Sequence, residues 1–184
     1  FAEALSSARK IKDNYKRAVA LSSIATHLPA IFPEALSAAR KIKDKSNRAA
    51  ALSSLVTHLP EILPEAFKTI KSIDFEFDQV RLLILLVPHL PEHLFLEVLH
   101  GAQYISSESD KAKLLSKLTY NLHIICDSSI YSCWSELLHY SASLKRSSLL
   151  IQIRENIHII SKLGNSNTFR EIADAVHDVG RWFP

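Results

Sequence analysis

The chain has 184 residues, 47% of them hydrophobic, with three glycines, two cysteines and a formal net charge of +3. That length and apolar content suit a packed core and exclude a disordered chain, and two cysteines seven apart (Cys126 and Cys133) cannot form a disulfide framework. The scarcity of glycine, beside abundant Ala, Leu, Ser, Lys and Ile, favours an all-α protein.

The first two elements repeat. Phe1–Ile31 and Phe32–Ile62 are identical at 22 of 31 positions. Glu3-Ala4-Leu5 returns as Glu34-Ala35-Leu36, Arg9-Lys10-Ile11-Lys12-Asp13 as Arg40-Lys41-Ile42-Lys43-Asp44, and Thr26-His27-Leu28-Pro29 as Thr57-His58-Leu59-Pro60. Each copy reads as two helices. Ala35, Leu36, Ala39 and Ile42 share one face of a 3.6-residue period, as do Leu52, Leu55, Val56 and Leu59 in the next helix. The break falls around Lys45-Ser46-Asn47, where Ser or Asn can cap the second helix. Pro60 and Pro64 then mark the boundary, and Pro60-Glu61-Ile62-Leu63 reads either as a turn or as an extra helical turn.

Further copies follow with weaker identity. The third spans 63–93, keeping Pro64-Glu65-Ala66 and His89-Leu90-Pro91 in register; the fourth spans about 94–126 and the fifth 127–164. Leu149, Leu150, Ile153, Ile157 and Ile160 form the stripe of a long helix between Lys145 and Leu163, which Gly164 stops. Thr168-Phe169-Arg170-Glu171 has capping-box spacing and opens a closing helix over 167–183. A hairpin this short cannot cover its own apolar face, so the copies are expected to stack. The expected fold is one all-α domain, a right-handed α-solenoid of the TPR or HEAT kind with a period of about 31 residues.

The absence of methionine, even at position 1, suggests a piece of a longer protein, with targeting signals outside it. No apolar run approaches the ~18 residues that cross a bilayer, so no membrane partner is expected. The cysteines read as reduced thiols, which suggests a cytoplasmic location.

Chemistry-bearing residues are sparse. His27, His58 and His89 recur at one repeat position, but ligands on neighbouring hairpins stand too far apart for one zinc ion, so no metal is expected. They read instead as groups that bond carbonyls at helix ends. Ser132, Ser135, Glu136 and His139 lie close together without a nucleophile elbow, and no glycine-rich phosphate loop occurs, so neither catalysis nor a cofactor is expected. Asp74, Glu76 and Asp78, alternating with Phe75 and Phe77, read as an acidic loop whose phenylalanines are packed or exposed as contacts. Ile130, Tyr131, Cys133 and Trp134 read as core.

Charge supplies the candidate site. Residues 1–64 hold ten Lys and Arg against five Asp and Glu, whereas residues 65–184 hold twelve against fourteen. Arg9, Lys10, Lys12, Arg17, Arg40, Lys41, Lys43 and Arg48, with Lys16 and Lys45 beside them, are set by the repeat in parallel rows, with Arg9, Arg40 and Arg48 on one surface. Such rows can collect phosphates or an acidic protein surface, or form a solvated helix face partly neutralised by Glu3, Asp13, Glu34 and Asp44. Tyr15 alone is placed nearby for base stacking, which argues against nucleic acid.

The paired-proline segment Thr57-His58-Leu59-Pro60-Glu61-Ile62-Leu63-Pro64-Glu65-Ala66, the Ala-Arg-Lys-Ile block and the ending Asp178-Val179-Gly180-Arg181-Trp182-Phe183-Pro184 resemble repeat regions of bacterial, notably cyanobacterial, STAND proteins. These are signalling ATPases with NACHT or NB-ARC cores. The resemblance implies a C-terminal sensor that binds a trigger protein, such as one from a phage, and restrains the ATPase of its own parent chain. Residues 123–165 depart from the pattern. Two other functions fit the same residues: a structural or autoinhibitory scaffold acting only within its parent chain, and a HEAT-like enzyme or enzyme chaperone.

Overall fold

A computed structural model describes residues 2–122, 125 and 127–141, with scattered positions between 144 and 174. Among the described residues the protein is helical and contains no strand. The helices are α1 (Ala2–Arg9), α2 (Asn14–Ala25), α3 (Phe32–Arg40), α4 (Lys45–Val56), α5 (Leu63–Lys71), α6 (Glu76–Leu86), α7 (Glu92–Ala102), α8 (Glu108–Tyr120) and α9 (Asp127–Ser141). The chain divides into two compact units, Phe1–Val98 and Leu99–Pro184.

In the first unit the same local chemistry recurs. Asp13 and Asp44 each sit in extended backbone just before the second helix of a pair, and their carboxylates accept the amides of Lys16 and Asn47, both at 2.8 Å. The cap of α4 is therefore Asp44, and Ser46 and Asn47 lie inside its first turn. A carboxylate satisfies the orphan amide and also complements the positive end of the helix. At the matching place before α6 stands Phe75, which forms no side-chain cap; Glu76 and Asp78 in the first turn supply the negative charge.

The boundaries after α2 and α4 are short 3-10 turns, Pro29–Ile31 and Pro60–Ile62, each closed by an isoleucine amide donating to a leucine carbonyl three residues back. The segment after Leu59 is thus an extra tight turn. Pro33 and Pro64 stand in the first turns of α3 and α5, where the missing amide costs no hydrogen bond.

The core is built from the expected stripes. Ala35, Ala39, Leu52 and Leu55 are fully buried, and Ile42 and Val56 nearly so, whereas Leu36 and Leu59 are half-buried. Helix α4 packs against α2, α3, α5 and α6, so its apolar side chains are covered by the copies before and after it. Alanines at full burial (Ala18, Ala25, Ala35, Ala39, Ala49, Ala66) let neighbouring helices approach closely.

In the second unit α8 packs on α9. Leu114, Leu115, Leu118 and Leu122 are buried, as are Ile130, Cys133, Trp134 and Leu137. Ser107 caps α8, its hydroxyl accepting the Asp110 amide at 3.3 Å. Cys133 is buried, and Cys126 lies outside the described residues. So do the Gly164 stop and most of the expected helices over 145–163 and 167–183. Leu150 and Ile157, from the expected stripe of the first of these, are exposed.

Leu52→Ala is expected to destabilise the protein by about 2–5 kcal/mol, because Leu52 is fully buried. Asp44→Ala should cost about 1 kcal/mol through loss of the cap. Urea titration followed by circular dichroism checks both, and a smaller loss for Leu52→Ala than for Asp44→Ala would contradict the packing described.

Candidate binding surface

The basic residues of the first two copies divide by role. Arg9 and Arg40 end α1 and α3, where a cation suits the helix dipole. Each reaches forward to the glutamate in the first turn of the next copy's first helix. Arg9 grips Glu34 through Nε at 2.9 Å and Nη2 at 2.8 Å; Arg40 grips Glu65 through Nε at 3.0 Å and Nη2 at 2.6 Å. Lys71, which ends α5, pairs with Glu97 in the same sense. Two further links join the copies: Asn14 Nδ2 donates to the Lys41 carbonyl at 3.0 Å, and Lys45 pairs with Asp74 at 3.1 Å.

Arg17 and Arg48 act within their own copies. Their Nη1 atoms donate to the carbonyls of Ile11 and Ile42, both at 3.2 Å, tying each second helix to the elbow before it. Lys10, Lys12, Lys41 and Lys43 sit at those elbows, exposed, and form no ion pair with the described residues. Of the eight candidate residues, four arginines are thus engaged inside the chain and four lysines face solvent.

The pairs shift their members. The Arg9 guanidinium donates to Glu34 and holds its carboxyl below the usual glutamate value, helped by the charges of Arg9 and Arg17 against partial desolvation. Arg40 does the same to Glu65, with Arg48 as the second cation. Both Arg9 and Arg40 are raised in turn, mainly by these hydrogen bonds.

A cleft and a groove open on the first unit. A polar cleft of about 220 Å³ is lined by Arg9, Arg17, Leu21, Glu34, Ser37, Ala38 and Lys41. A more apolar groove of about 310 Å³ runs between α2 and α4, with Tyr15, Val19, Ala50, Ala51, Leu55 and His58 among its walls.

Two of the recurring histidines contact neighbouring residues through their rings. The His58 ring stacks on Phe32 with centroids 5.0 Å apart, and His89 Nε2 lies 3.4 Å from the Thr57 hydroxyl of the preceding copy. The carbonyls at these helix ends are met by the backbone amides of His27 and His58, donating to Ile24 and Leu55 at 3.0 Å. No group of three His, Cys, Asp or Glu among the described residues is placed to hold a metal ion. No described helix is long and apolar enough to cross a membrane.

Phe75 and Phe77 are 74% and 61% exposed, one before and one inside the first turn of α6, so the acidic segment is a helix start with two bare aromatic rings. In the second unit Glu136 lies 3.2 Å from His100 Nε2. The Tyr140 phenol is pushed up, chiefly by burial and then by the charges of Glu136 and Tyr104. This cluster joins residues 36 apart, which local spacing does not reveal.

Comparison with protein-family models, curated proteins and solved structures returned no match to this chain.

The depressed glutamates give a signed pH dependence. Their contribution to stability is fully present above the usual value of 4.5 and is lost as pH falls through the lower folded-state value. The stability difference between the unmodified chain and Glu65→Gln should therefore stay constant from neutral pH to about 5 and shrink in stronger acid. Urea midpoints measured across that range check it; a difference that grows on acidification contradicts the pairing. A double-mutant cycle on Arg40 and Glu65 should return about 0.2–1 kcal/mol of coupling, since both side chains are largely solvated and screened.

Proposed function

We propose that this chain is the ligand-sensing, protein-binding repeat domain of a STAND-type signalling or antiphage defence ATPase, folded as an α-solenoid of stacked helical hairpins. The observation that carries the reading is the recurring bridge between copies, Arg9 to Glu34, Arg40 to Glu65 and Lys71 to Glu97. Such a bridge ties each hairpin to the next, over 25 residues in the first two cases and 26 in the third, and sets the side chains of the first copies in rows. A rigid row of chemically similar elbows is a surface for a partner that runs along several copies.

Lys10, Lys12, Lys41 and Lys43 support the protein-binding part of the reading. These four cations are not needed to hold the copies together, so charge complementarity with an acidic partner is open to them. The sensing part rests on the resemblance of the paired-proline segment to STAND repeat regions. In such an arrangement the repeat domain restrains an ATPase core in the same parent chain. A trigger protein binds better to the released state and shifts the equilibrium towards it.

The parent protein provides the test. Its reading frame is expected to encode a nucleotide-binding core ahead of this region, and deletion of the repeats should raise basal ATP hydrolysis and remove its response to a trigger. A parent without such a core would overturn the reading. Charge reversal of all four elbow lysines should weaken capture of the trigger while circular dichroism stays unchanged; undiminished capture would remove the elbows from the surface.

A further inference from the structure

The polar cleft of about 220 Å³ combines three cations, Arg9, Arg17 and Lys41, with one carboxylate, Glu34. Arg9 spends Nε and Nη2 on Glu34 and keeps Nη1 unused. Lys41 is exposed at the C-terminal end of α3, and its ammonium is in no ion pair with the described residues. The cleft therefore holds more positive charge than its own glutamate neutralises.

The arrangement returns 31 residues on. Arg40, Arg48 and Glu65 stand where Arg9, Arg17 and Glu34 stood, joined by the same bidentate pair. Arg48 acts on Glu65 as Arg17 acts on Glu34. The third cation also returns, moved by one helical turn: Ser72 replaces Lys41, and Lys68 replaces Ser37. Positions four apart on a helix share a face, so the exposed Lys68 keeps a cation on the face of α5 that matches the one Lys41 follows on α3. At the following boundary the pattern stops. Lys71 pairs with Glu97, and Gln79 takes the place of Arg48 and reaches the Ile70 carbonyl at 3.5 Å.

We infer that these two boundaries, the first a cleft and the second a matching set of charges, form a tandem pair of carboxylate-binding sites for an acidic peptide segment of a partner protein. The inference deepens the protein-binding reading above and rests on it. The Arg–Glu forks already in place show the geometry such a carboxylate would meet, and each site has donors left over. Both sites are open to solvent and lie one hairpin apart, which suits a linear ligand with repeated negative charge better than a single enclosed anion. A nucleic acid is also a linear polyanion, but the cleft lining contains no aromatic ring on which a base could stack.

The test uses the whole chain and fluorescence anisotropy at fixed ionic strength. The probes are a labelled peptide of alternating Glu and Ser, its Gln and Ser counterpart, single-stranded oligodeoxythymidine and inorganic phosphate. The Glu peptide should bind and the Gln peptide should not. Lys41→Glu or Lys68→Glu alone should weaken binding about threefold, within the range of single exposed charges. The double variant should weaken it roughly tenfold. Both residues are outside the stacking bridges, so circular dichroism should not change. Lys10→Glu with Lys12→Glu, at an elbow, should cost less than the Lys41 and Lys68 pair.

Equal affinity in the double variant, an equal loss from the elbow pair, or tighter binding of the oligonucleotide would each overturn the inference. Displacement of the peptide by phosphate at similar concentration would also overturn it, in favour of a small-anion site. The outcomes separate it from the reading it rests on. A trigger captured independently of Lys41 and Lys68 removes the two sites and leaves the sensor, whereas peptide binding at the two sites in a parent without an ATPase core removes the sensor and leaves the sites.

Discussion

The architecture of the first unit depends on one constraint: an amphipathic helix pair of this length has more apolar face than it can cover by itself. Helix α4 shows how the constraint is met. Leu52 and Leu55 are fully buried in a helix that packs on α3 of its own copy, α2 of the copy before and α5 and α6 of the copy after. Folding a single pair would order its backbone while leaving that face in water, so entropy would outweigh the burial gained. The polar features follow from this. Aspartate caps begin the second helices, tight proline turns end the copies, and the arginine–glutamate forks set where one copy meets the next.

The forks are better understood as register devices than as sources of stability. Their members are about half exposed, and pairs of that kind contribute little net free energy. Their geometry is nevertheless specific, since a guanidinium meets a carboxylate edge to edge. They sit at the rim of an interface whose affinity comes from buried leucine, isoleucine and alanine. This division leaves the lysines at the elbows and Lys68 on α5 without a structural task among the described residues, and makes them the chemically available part of the surface.

Much of the helical organisation was legible in the sequence. The identity of the first two copies gave the period, and the 3.6-residue spacing of Ala35, Ala39, Ile42, Leu52, Leu55 and Val56 gave the buried faces. The cap of α4 was harder to place because Asp44, Ser46 and Asn47 are all capping residue types within four positions. Backbone geometry decides among them, and Asp44 alone has the extended conformation a cap requires. The inner role of Arg9 and Arg40 was not legible from local spacing, because their partners lie 25 residues away. A signal did exist: both members of the pair recur at the same interval, so the repeat carries donor and acceptor together. The His100, Glu136 and Tyr140 cluster has no such signal, as it joins helices of low mutual similarity.

The near identity of the first two copies carries a cost as well as an order. Glu65 offers a guanidinium the same carboxylate that Glu34 offers Arg9, whereas the packed face of the third copy differs, with Thr69 and Ile70 where the second has Ala38 and Ala39. The forks do not encode which copy comes next; the side chains packed between copies, the unlike Asn14 and Lys45 contacts and the covalent chain do. Neighbouring molecules can exchange hairpins with the Arg–Glu forks still satisfied, a known hazard of repeat proteins. The same indifference lets whole copies be lost or duplicated without breaking a fork, so the number of binding sites can change in evolution while the fork chemistry stays fixed.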